Sequence, residues 1–461
     1  MRTAPWLEHA AALTLLVVAA CDTATTDPVP VTDLEQLEGI WERRGYAQML
    51  EIHDGQVTDI HVTAASCVRT ESSDYADVFD AHDSIVSEGT RLSWHELGHF
   101  TRADFDRVPS LPSSCMEAGA LTDPVTNFEA LWRLFAENYA YFEVRGVDWD
   151  QMHLAHVSQV DADTSGEALF GVFQEMLSPL SDGHVWVYDG EAMGFLSGSF
   201  GAMWERWAAQ YDGEPVTNPI DPRRDFIVDM QHLVLEDVLG GEGSSGLHGT
   251  LHWGWLNDEV AYLDVHEMAF SDGAELTIPQ MQDEVDTTMA LVMEDLGGAE
   301  AFVIDARFNQ GGRDTMGFAI AGWFTDEEVI VARKRAVDQG GWTEDQDVFV
   351  APRTDAPFLG PIRLLTSGNT VSAAETFTMA MSALPNTVRV GTATYGAFSD
   401  VLVRQLPNGW LVGLSNEVYE APDGSVYEAI GFPPDLEVAY DDALSFEGNL
   451  QLTLDAAVAG L

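Results

Sequence analysis

The chain has 461 residues, of which 46% are hydrophobic and 10% aromatic, so it can bury large cores and is not a disordered protein. Its 76 acidic residues against 21 basic ones give a formal net charge of −55, which repels nucleic acid and anionic lipid headgroups. Nucleic acid is therefore excluded as a partner, and the length predicts roughly two to four structural units.

Residues 1–21 have the pattern of an export signal. Arg2 precedes the apolar run AALTLLVVAA, which is too short to span a bilayer as a stable helix. The run ends in small residues before Cys21, and VVAAC resembles a bacterial lipoprotein signal in which the cysteine is lipidated. The alternative is an ordinary secretory signal. Residues 22–32 predict a polar linker. We expect an exported cell-envelope protein, periplasmic or at the outer membrane or cell surface, that contacts the membrane only through an N-terminal lipid anchor.

Residues 33–118 predict a β-rich N-terminal domain. Short alternating runs flank an Asp-Gly pair at 54–55, which is a hairpin signal. Two cysteines, Cys67 and Cys115, remain after the signal. An exported compartment permits a disulfide between them, and two separate thiols are the alternative.

The stretch WHELGHF within this domain completes the zinc-metallopeptidase pattern H-E-x-x-H with His95, Glu96 and His99. The pattern requires a helix, so that both histidines lie on one face one turn apart. Gly98 interrupts such a helix, and the residues before the motif alternate as in a strand. A zinc peptidase that uses these residues is therefore only a lesser alternative.

Residues 119–189 predict a helical unit. In NFEALWRLFAENYAYF the apolar residues recur at i, i+3, i+4 and i+7, and GEALFGVFQEML repeats the helical pattern. His184 follows in LSDGHVWV, a turn that contains glycine. Residues 190–255 have no clear pattern, and we treat them as an insert of unclear fold.

Residues 256–445 alternate between strands and helices, which predicts an α/β core. VAYLDV, AFVIDARF and IRLLTS have the pattern of strands, and MQDEVDTTMALVMEDL, TMGFAIAGWF and SAAETFTMAMSAL that of helices. Residues 446–461 are expected to form a C-terminal tail. The predicted fold is an α/β core with a small helical unit before it and an N-terminal β-rich domain.

Three motifs in this part of the chain contain residues that could take part in catalysis or binding. Gly311 and Gly312 end DARFNQGG, where the backbone could approach a ligand closely with free N–H groups. Ser372 and Glu375 in VSAAETF satisfy a capping box, yet a serine at a helix start is also where N–H groups and the helix dipole stabilise an oxyanion. Glu428 in YEAIGFPPDLEV is either functional or an ordinary surface carboxylate.

The ordered set D-x-R-x-N-x-G-G, S-A-A-E, GTATYG, LPNGWLVGLS and E-x-x-G-x-x-P-D resembles the S41 serine peptidases, the tail-specific or C-terminal-processing proteases. The resemblance covers roughly residues 123–440. L-x-D-x-H, which ends at His184, is similar to the tricorn-core-like branch. The resemblance implies a ClpP/crotonase-like α/β catalytic core.

The resemblance also implies catalytic roles. Ser372 attacks the scissile carbonyl, His184 acts as the general base, and Ala373 with Gly311 or Gly312 forms the oxyanion hole. The C-terminal-processing branch uses a lysine where this chain has Ala397, and its only lysine, Lys334, is distant in sequence. A Ser–Lys dyad of the usual kind is therefore excluded.

Glu428 matches the carboxylate that orients the histidine in the family. Tricorn-like members place a serine directly before the histidine to link the two, whereas this chain has Gly183 there. How Glu428 would reach His184 is therefore open.

The predicted function is an exported serine endopeptidase that acts on proteins or peptides and needs neither a metal nor an organic cofactor. The alternative is a catalytically inactive protein of the same fold that binds apolar ligands or peptides, as the retinoid-binding relatives do.

Overall fold

The computed structural model describes residues 29–30, 37–74, 78, 82–88, 90–115, 123–198, 206–207, 221–270, 276–338 and 340–461. The predicted export signal with Cys21, and most of the predicted linker, lie outside the described residues. The chain divides into two compact units, each built from three stretches. Unit 1 comprises Met1–Ser199, Lys334–Gln346 and Ser399–Val418, and unit 2 comprises Phe200–Arg333, Asp347–Phe398 and Tyr419–Leu461.

The described strands, in chain order, are β1 (Val29–Pro30), β2 (Gly39–Arg43), β3 (Gln48–His53), β4 (Gln56–Val62), β5 (Cys67–Asp74), β6 (His82–Glu88), β7 (Arg91–Glu96), β8 (Arg102–Val108), β9 (Trp186–Tyr188), β10 (Gly194–Leu196), β11 (Ser244–Gly246), β12 (Leu251–Trp255), β13 (Val260–Val265), β14 (Ala301–Asp305), β15 (Val329–Asp338), β16 (Gly341–Trp342), β17 (Gln346–Val350), β18 (Ile362–Thr366), β19 (Thr387–Gly391), β20 (Val401–Gln405), β21 (Leu411–Ser415), β22 (Glu417–Glu420) and β23 (Leu436–Glu437).

The described α-helices are α1 (Pro124–Asn138), α2 (Phe142–Arg145), α3 (Trp149–His156), α4 (Gly166–Leu177), α5 (Asp221–His232), α6 (Ile278–Leu296), α7 (Asp314–Ala321), α8 (Ala373–Ser382) and α9 (Phe446–Val458). Short 3₁₀ turns cover Ser113–Cys115, Val157–Gln159, Ser178–Leu180, Leu247–Gly249 and Gly322–Phe324, and α5 continues into a π-helical turn, Leu233–Val238. Within the described parts of the chain, no helix is both long and apolar enough to cross a bilayer.

The N-terminal part of unit 1 is an antiparallel sheet in the order β1-β6-β7-β8-β2-β3-β4-β5. Asp54 and Gly55 join β3 to β4 with φ values of 50° and 77°, the left-handed backbone that a tight hairpin turn requires, so the predicted hairpin is confirmed. Cys67 and Cys115 form a disulfide. The sheet buries an apolar cluster that includes Trp41, Leu50, Leu92, Trp94 and Phe105.

The rest of unit 1 packs helices against a small antiparallel sheet in the order β10-β9-β21-β20. Asp123 caps α1 by accepting a hydrogen bond from the Thr126 N–H (2.8 Å), and Ser165 caps α4 in the same way. The apolar faces of α1 and α4 share one core with this sheet, which includes Phe128, Phe135, Phe173, Val187, Trp410 and Val412. His184 lies in the segment 181–185, which joins the 3₁₀ turn after α4 to β9, and the core residues Leu180 and Val185 flank it in sequence.

Unit 2 is built on a sheet in the order β11-β12-β13-β14-β18-β19-β23. The first three strands are antiparallel and the others are parallel. Every residue of β13 and β14 is buried, as expected of central strands covered on both faces. Neighbouring parallel strands end at the same edge of a sheet, so the segments that follow β14 and β18 start side by side.

The structure corrects three of the sequence-based boundaries. Residues 446–461 are not a tail, since α9 buries Phe446, Leu450 and Leu454 in the core of unit 2 at a spacing of four residues. The predicted insert already contains β11 and β12 of the main sheet. The predicted core is also not one continuous segment, because 334–346 and 399–418 belong to unit 1.

Candidate active site

Ser372 occupies the sharp turn between β18 and α8. Its backbone has φ 58° and ψ −125°, a region that non-glycine residues rarely adopt and that costs roughly 1–3 kcal/mol. An ordinary N-cap is extended, as Ser165 is with φ −70° and ψ 159°. The capping-box interpretation therefore does not account for the backbone of Ser372. A strained strand-to-helix turn that presents a serine is the arrangement used by nucleophiles of hydrolases.

Gly311 lies directly against this turn. It has φ 96°, and a Cβ at this position would lie 2.7 Å from Ser372 Cβ and 2.7 Å from Val371 O. Gly312 has φ 139°, and a Cβ there would lie 2.1 Å from Met268 O. Both positions therefore require glycine for backbone conformation and for space. The sequence predicts that this backbone approaches a ligand closely, and the structure shows Gly311 in close contact with the Ser372 turn.

The peptide N–H groups of the two glycines differ. The Gly311 N–H donates to Asn309 Oδ1 (2.8 Å), so it is already engaged. Among the described residues no hydrogen bond is formed by the N–H of Gly312 or of Ala373, the first residue of α8. The sequence left Gly311 and Gly312 as equal candidates for an oxyanion donor. The geometry disfavours Gly311.

Other residues of D-x-R-x-N-x-G-G form buried hydrogen bonds that the sequence did not predict. Asn309 is fully buried, and its Nδ2 donates to Val265 O (2.8 Å). Its backbone oxygen accepts from the Val371 N–H (3.1 Å). Buried Arg307 binds Asp305 through Nε and Nη2 and donates from Nη1 to Leu450 O (2.7 Å). These contacts fix the glycine turn to the sheet and to the serine turn.

Glu375 is a buried carboxylate and not merely half of a capping box. Its Oε2 accepts from the N–H groups of Ser372 (3.2 Å) and Ala397 (2.7 Å). Its Oε1 accepts from the Gly396 N–H and the Thr394 hydroxyl, each at 2.6 Å. Burial raises the pKa of Glu375 to about 7, although these four donors oppose the rise. Glu375 therefore ties the serine turn to GTATYG, a link that the spacing S-x-x-E alone could not predict.

Glu428 is also buried, with 3% of its surface exposed, so it is not a surface carboxylate. Its Oε2 accepts from the Phe398 N–H (2.7 Å). The next residue, Ala429, has φ 66° and donates its N–H to Gly396 O (2.9 Å). Glu428 therefore lies beside the same 394–398 loop that Glu375 holds.

His184 belongs to unit 1, where it is 6% exposed. Its backbone N–H donates to Asp182 Oδ1 (2.8 Å), and Asp182 Oδ2 accepts from the Tyr139 hydroxyl (2.8 Å). Nδ1 of His184 is buried and has no hydrogen-bond partner among the described residues. Burial lowers the pKa of His184, and the carboxylates of Asp182 and Asp400 oppose this effect. The imidazole is therefore neutral near pH 7 and able to accept a proton.

Lys334, also in unit 1, is buried in a polar cluster. Its Nζ forms ion pairs with Asp400 (3.0 Å) and Glu417 (3.1 Å), and Glu417 accepts a hydrogen bond from the Tyr46 hydroxyl. Burial alone would lower the pKa of Lys334, but the two carboxylates raise it well above its usual value. A permanently protonated lysine cannot act as a general base, which agrees with the exclusion of a Ser–Lys dyad.

The H-E-x-x-H motif lies on a strand and a turn. His95 and Glu96 end β7, and Gly98 has φ 80° in the turn before His99. Nδ1 of His99 lies 3.2 Å from the Thr101 N–H, which donates to it. Burial lowers the pKa of His99 to about 3. The helix that would align both histidines for zinc is therefore not formed by this segment.

Comparison with known proteins gives matches for both units. Residues 260–438 match the family described as Peptidase family S41, and residues 122–178 match the Tricorn protease C1 domain. A carboxyl-terminal-processing protease from Picosynechococcus sp. is 30% identical over 174 residues, a match that spans 35% of this chain and 40% of that protein.

Among solved structures, a candidate peptidase from Parabacteroides merdae has a TM-score of 0.57 and 23% sequence identity. The match covers 73% of this chain and 96% of that one. At this identity the likeness concerns the fold, and the predicted fold class is confirmed.

Proposed function

We propose that this chain, whose residues 260–438 match peptidase family S41 and whose residues 122–178 match the Tricorn protease C1 domain, is an exported serine endopeptidase with Ser372 as its nucleophile. The observation that carries the proposal is the strained backbone of Ser372 at the start of α8, packed against Gly311. Strain of this kind persists only where the surrounding structure imposes it, and it is concentrated at functional sites.

In the proposed reaction, Ser372 Oγ attacks the carbonyl carbon of a peptide bond while its proton passes to the neutral imidazole of His184. The C–N bond then breaks, and the imidazolium returns the proton to the leaving amine. Water attacks the resulting ester by the same route, which releases the new carboxyl group and restores Ser372. Each bond change balances without a metal or an organic cofactor.

The negative charge on the tetrahedral oxygen needs donors that are already in place. We assign the N–H groups of Gly312 and Ala373 to this role, because the Gly311 N–H is engaged by Asn309. Ala373 opens α8, so the helix dipole adds to the stabilisation of an anion there.

His184 is proposed as the base because its buried imidazole is neutral, and because Lys334 stays protonated and cannot act as a base. His184 and Ser372 belong to different units, so their pairing in the working enzyme is a part of the proposal that mutation must test. Glu428 is proposed to orient His184. Its burial supports a specific role, while Gly183 removes the family's usual serine link.

Export and lipidation of Cys21 are proposed from residues 1–21. The proposed substrates are proteins or peptides, because the curated relative is a carboxyl-terminal-processing protease.

The test is labelling of the purified full chain with a fluorophosphonate probe, which forms a covalent bond with activated serines. We expect the wild type and Ser382→Ala to be labelled and to degrade an unstructured protein, and Ser372→Ala to do neither. Ser382 is a fair control because it lies on the same helix and donates to Thr378 O. Failure of the wild type to react would instead favour the inactive binding protein, and equal labelling of Ser372→Ala would exclude Ser372 as the nucleophile.

A further inference from the structure

Unit 2 contains a buried cluster of two histidines and one aspartate. His252 on β12 is directly opposite Asp264 on the antiparallel strand β13, and His266 follows two residues after Asp264. His252 is 3% exposed, and Asp264 and His266 are fully buried. One potential ligand atom from each side chain lies within 4.8 Å of the other two. The three side chains therefore converge on one small volume.

Two atoms of this cluster lack the partners that buried polar atoms normally have. Nε2 of His252 and Oδ1 of Asp264 are buried without a hydrogen-bond partner among the described residues. Buried polar atoms without a partner destabilise the folded protein, and a charged one does so more strongly. Two unsatisfied atoms in one cluster suggest that a shared binding partner satisfies both.

The other ring nitrogen of each histidine is held in place. Nε2 of His266 lies 3.1 Å from Ile227 O, which can only accept, so this nitrogen carries the proton. A neutral His266 then directs the lone pair of Nδ1 toward Asp264 Oδ2, 3.1 Å away. Nδ1 of His252 lies 2.8 Å from Ser245 Oγ, which leaves its Nε2 as the inward-facing atom. Histidines that bind metals are usually fixed in this way, with the far nitrogen bonded to a neighbouring group.

We propose that His252 Nε2, His266 Nδ1 and the Asp264 carboxylate bind one divalent transition-metal ion, with Zn²⁺ as the expected occupant. Imidazole and carboxylate are ordinary ligands of zinc at about 2.0–2.2 Å, and tetrahedral zinc accepts three protein ligands plus a water or a carbonyl oxygen. Ligands at such bond lengths lie roughly 3.4 Å apart. Small side-chain rotations would close the cluster onto the ion.

The competing explanation is a buried ion pair between protonated His266 and Asp264, whose atoms are 3.1 Å apart. Burial lowers and Asp264 raises the pKa of His266, with a net rise that would suit such a pair. The pair leaves Nε2 of His252 without a hydrogen-bond partner among the described residues. A metal ion satisfies both orphan atoms, whereas the ion pair satisfies neither His252 Nε2 nor Asp264 Oδ1.

Charge balance also calls for a cation at the cluster. On the next strand Asp305 lies opposite Asp264, and both carboxylates are fully buried. Arg307 pairs with Asp305 through Nε and Nη2, so its charge is already matched. The charge of Asp264 therefore requires its own positive partner, which either a metal ion or a protonated His266 would supply.

The expected role of the ion is structural. The His266 N–H donates to Thr250 O (2.8 Å), and the Met268 N–H donates to Gly311 O (3.0 Å). An ion at the cluster would join β12 to β13 and fix the segment that carries Met268 toward the glycine turn. The ion would not take part in peptide hydrolysis, so this site stands or falls independently of the proposed peptidase activity.

The test measures metal content and Co²⁺ binding on the purified full chain. We expect about one equivalent of zinc in wild type by mass spectrometry, and after its removal a Co²⁺ complex with visible d–d absorption. His252→Gln and Asp264→Asn should lose both signals. Ser245→Ala should keep the fold and bind Co²⁺ about 10- to 100-fold more weakly, since it removes only the supporting hydrogen bond.

Two variants serve as matched controls. His53→Gln alters the exposed group Glu38, His53 and Asp54, and His95→Gln alters the H-E-x-x-H motif. Both should retain the metal. Absence of metal and of Co²⁺ absorption in wild type would overturn the proposal in favour of the ion pair. Retention by His252→Gln with loss in His95→Gln would place the metal elsewhere. Should the ligand variants fail to fold, unchanged Co²⁺ affinity in Ser245→Ala would equally contradict the site.

Discussion

Two short motifs in this chain, H-E-x-x-H in unit 1 and S-A-A-E in unit 2, both match a known pattern. They differ in backbone conformation. His95 lies on a strand, opposite a register shift in β6, and His99 follows a turn, so the segment is sheet and turn structure. Ser372 has a backbone that a serine rarely adopts, and it abuts a glycine that no other residue could replace. Backbone strain and close backbone packing therefore favour the proposed nucleophile Ser372 over a motif that only matches a sequence pattern.

The two motifs also differ in how far along the chain their side-chain hydrogen bonds reach. The hydrogen bond of His99 is local, to Thr101 two residues away, although the charges of Lys334 and Asp400 also act on His99. Glu375 instead joins Ser372 to residues 394–397, about twenty positions along the chain. A motif embedded in long-range hydrogen bonds has a fixed geometry, and catalysis requires fixed geometry.

The largest effect is expected from His184→Ala, which removes the proposed base. Peptidase activity should fall about 10,000-fold, because the serine hydroxyl is then not activated. The wild-type rate should be constant near neutral pH and fall as the pH drops through the His184 pKa, which burial places below its ordinary value. A rate–pH profile measured from acid to neutral checks the sign. Loss of activity as the pH rises through this range would contradict a neutral histidine base.

Gly312→Ala should have the next largest effect. A Cβ would lie 2.1 Å from Met268 O, and φ 139° is unfavourable for alanine, so the proposed oxyanion donor must move. We expect a loss of about 100- to 1,000-fold in kcat. Gly298→Ala is the control, since a Cβ at Gly298 meets nothing within 4 Å. Equal activity of the two variants would remove Gly312 from the oxyanion hole.

Glu375→Gln tests whether the buried carboxylate holds the serine turn. An amide NH₂ would face backbone N–H donors on one side, which should lower the free energy of unfolding by roughly 2–5 kcal/mol. Gln280→Ala disrupts the exposed capping box of α6 with Thr277 and should cost only about 1 kcal/mol. Urea unfolding of both variants provides the measurement, and similar losses would mean that Glu375 is an ordinary cap.

The smallest effect is expected from the double variant His95→Ala/His99→Ala. Activity should stay within about twofold of wild type, because these side chains take no part in the proposed reaction. Proteolysis and fluorophosphonate labelling are the measurements. Abolished activity with an intact fold would reverse the comparison and restore the zinc hypothesis.

Sequence patterns were sufficient where the determining interactions are local. The helix over 166–177 and the Asp-Gly hairpin follow from periodicity and turn chemistry, and both are confirmed. The S41 resemblance rested on the order of several motifs, and it is confirmed by the family match. The prediction of a tail over 446–461 is wrong, since nothing local in the sequence indicates whether the apolar face of α9 has a core to cover.

The amino-acid sequence alone established which residue types are available for catalysis. These are a serine at a helix start, a glycine pair after a buried strand, and a single lysine that does not occupy the position of the family's catalytic lysine. The tertiary structure decided which of them are strained, buried or already bonded. In the folded chain the Gly311 N–H donates to Asn309, and Glu375 accepts a hydrogen bond from Thr394 as well as capping a helix. The fold also brings His252, Asp264 and His266 close together. The reason is physical: backbone strain, desolvation and buried hydrogen bonds depend on neighbours that are distant in sequence and close only in the folded chain.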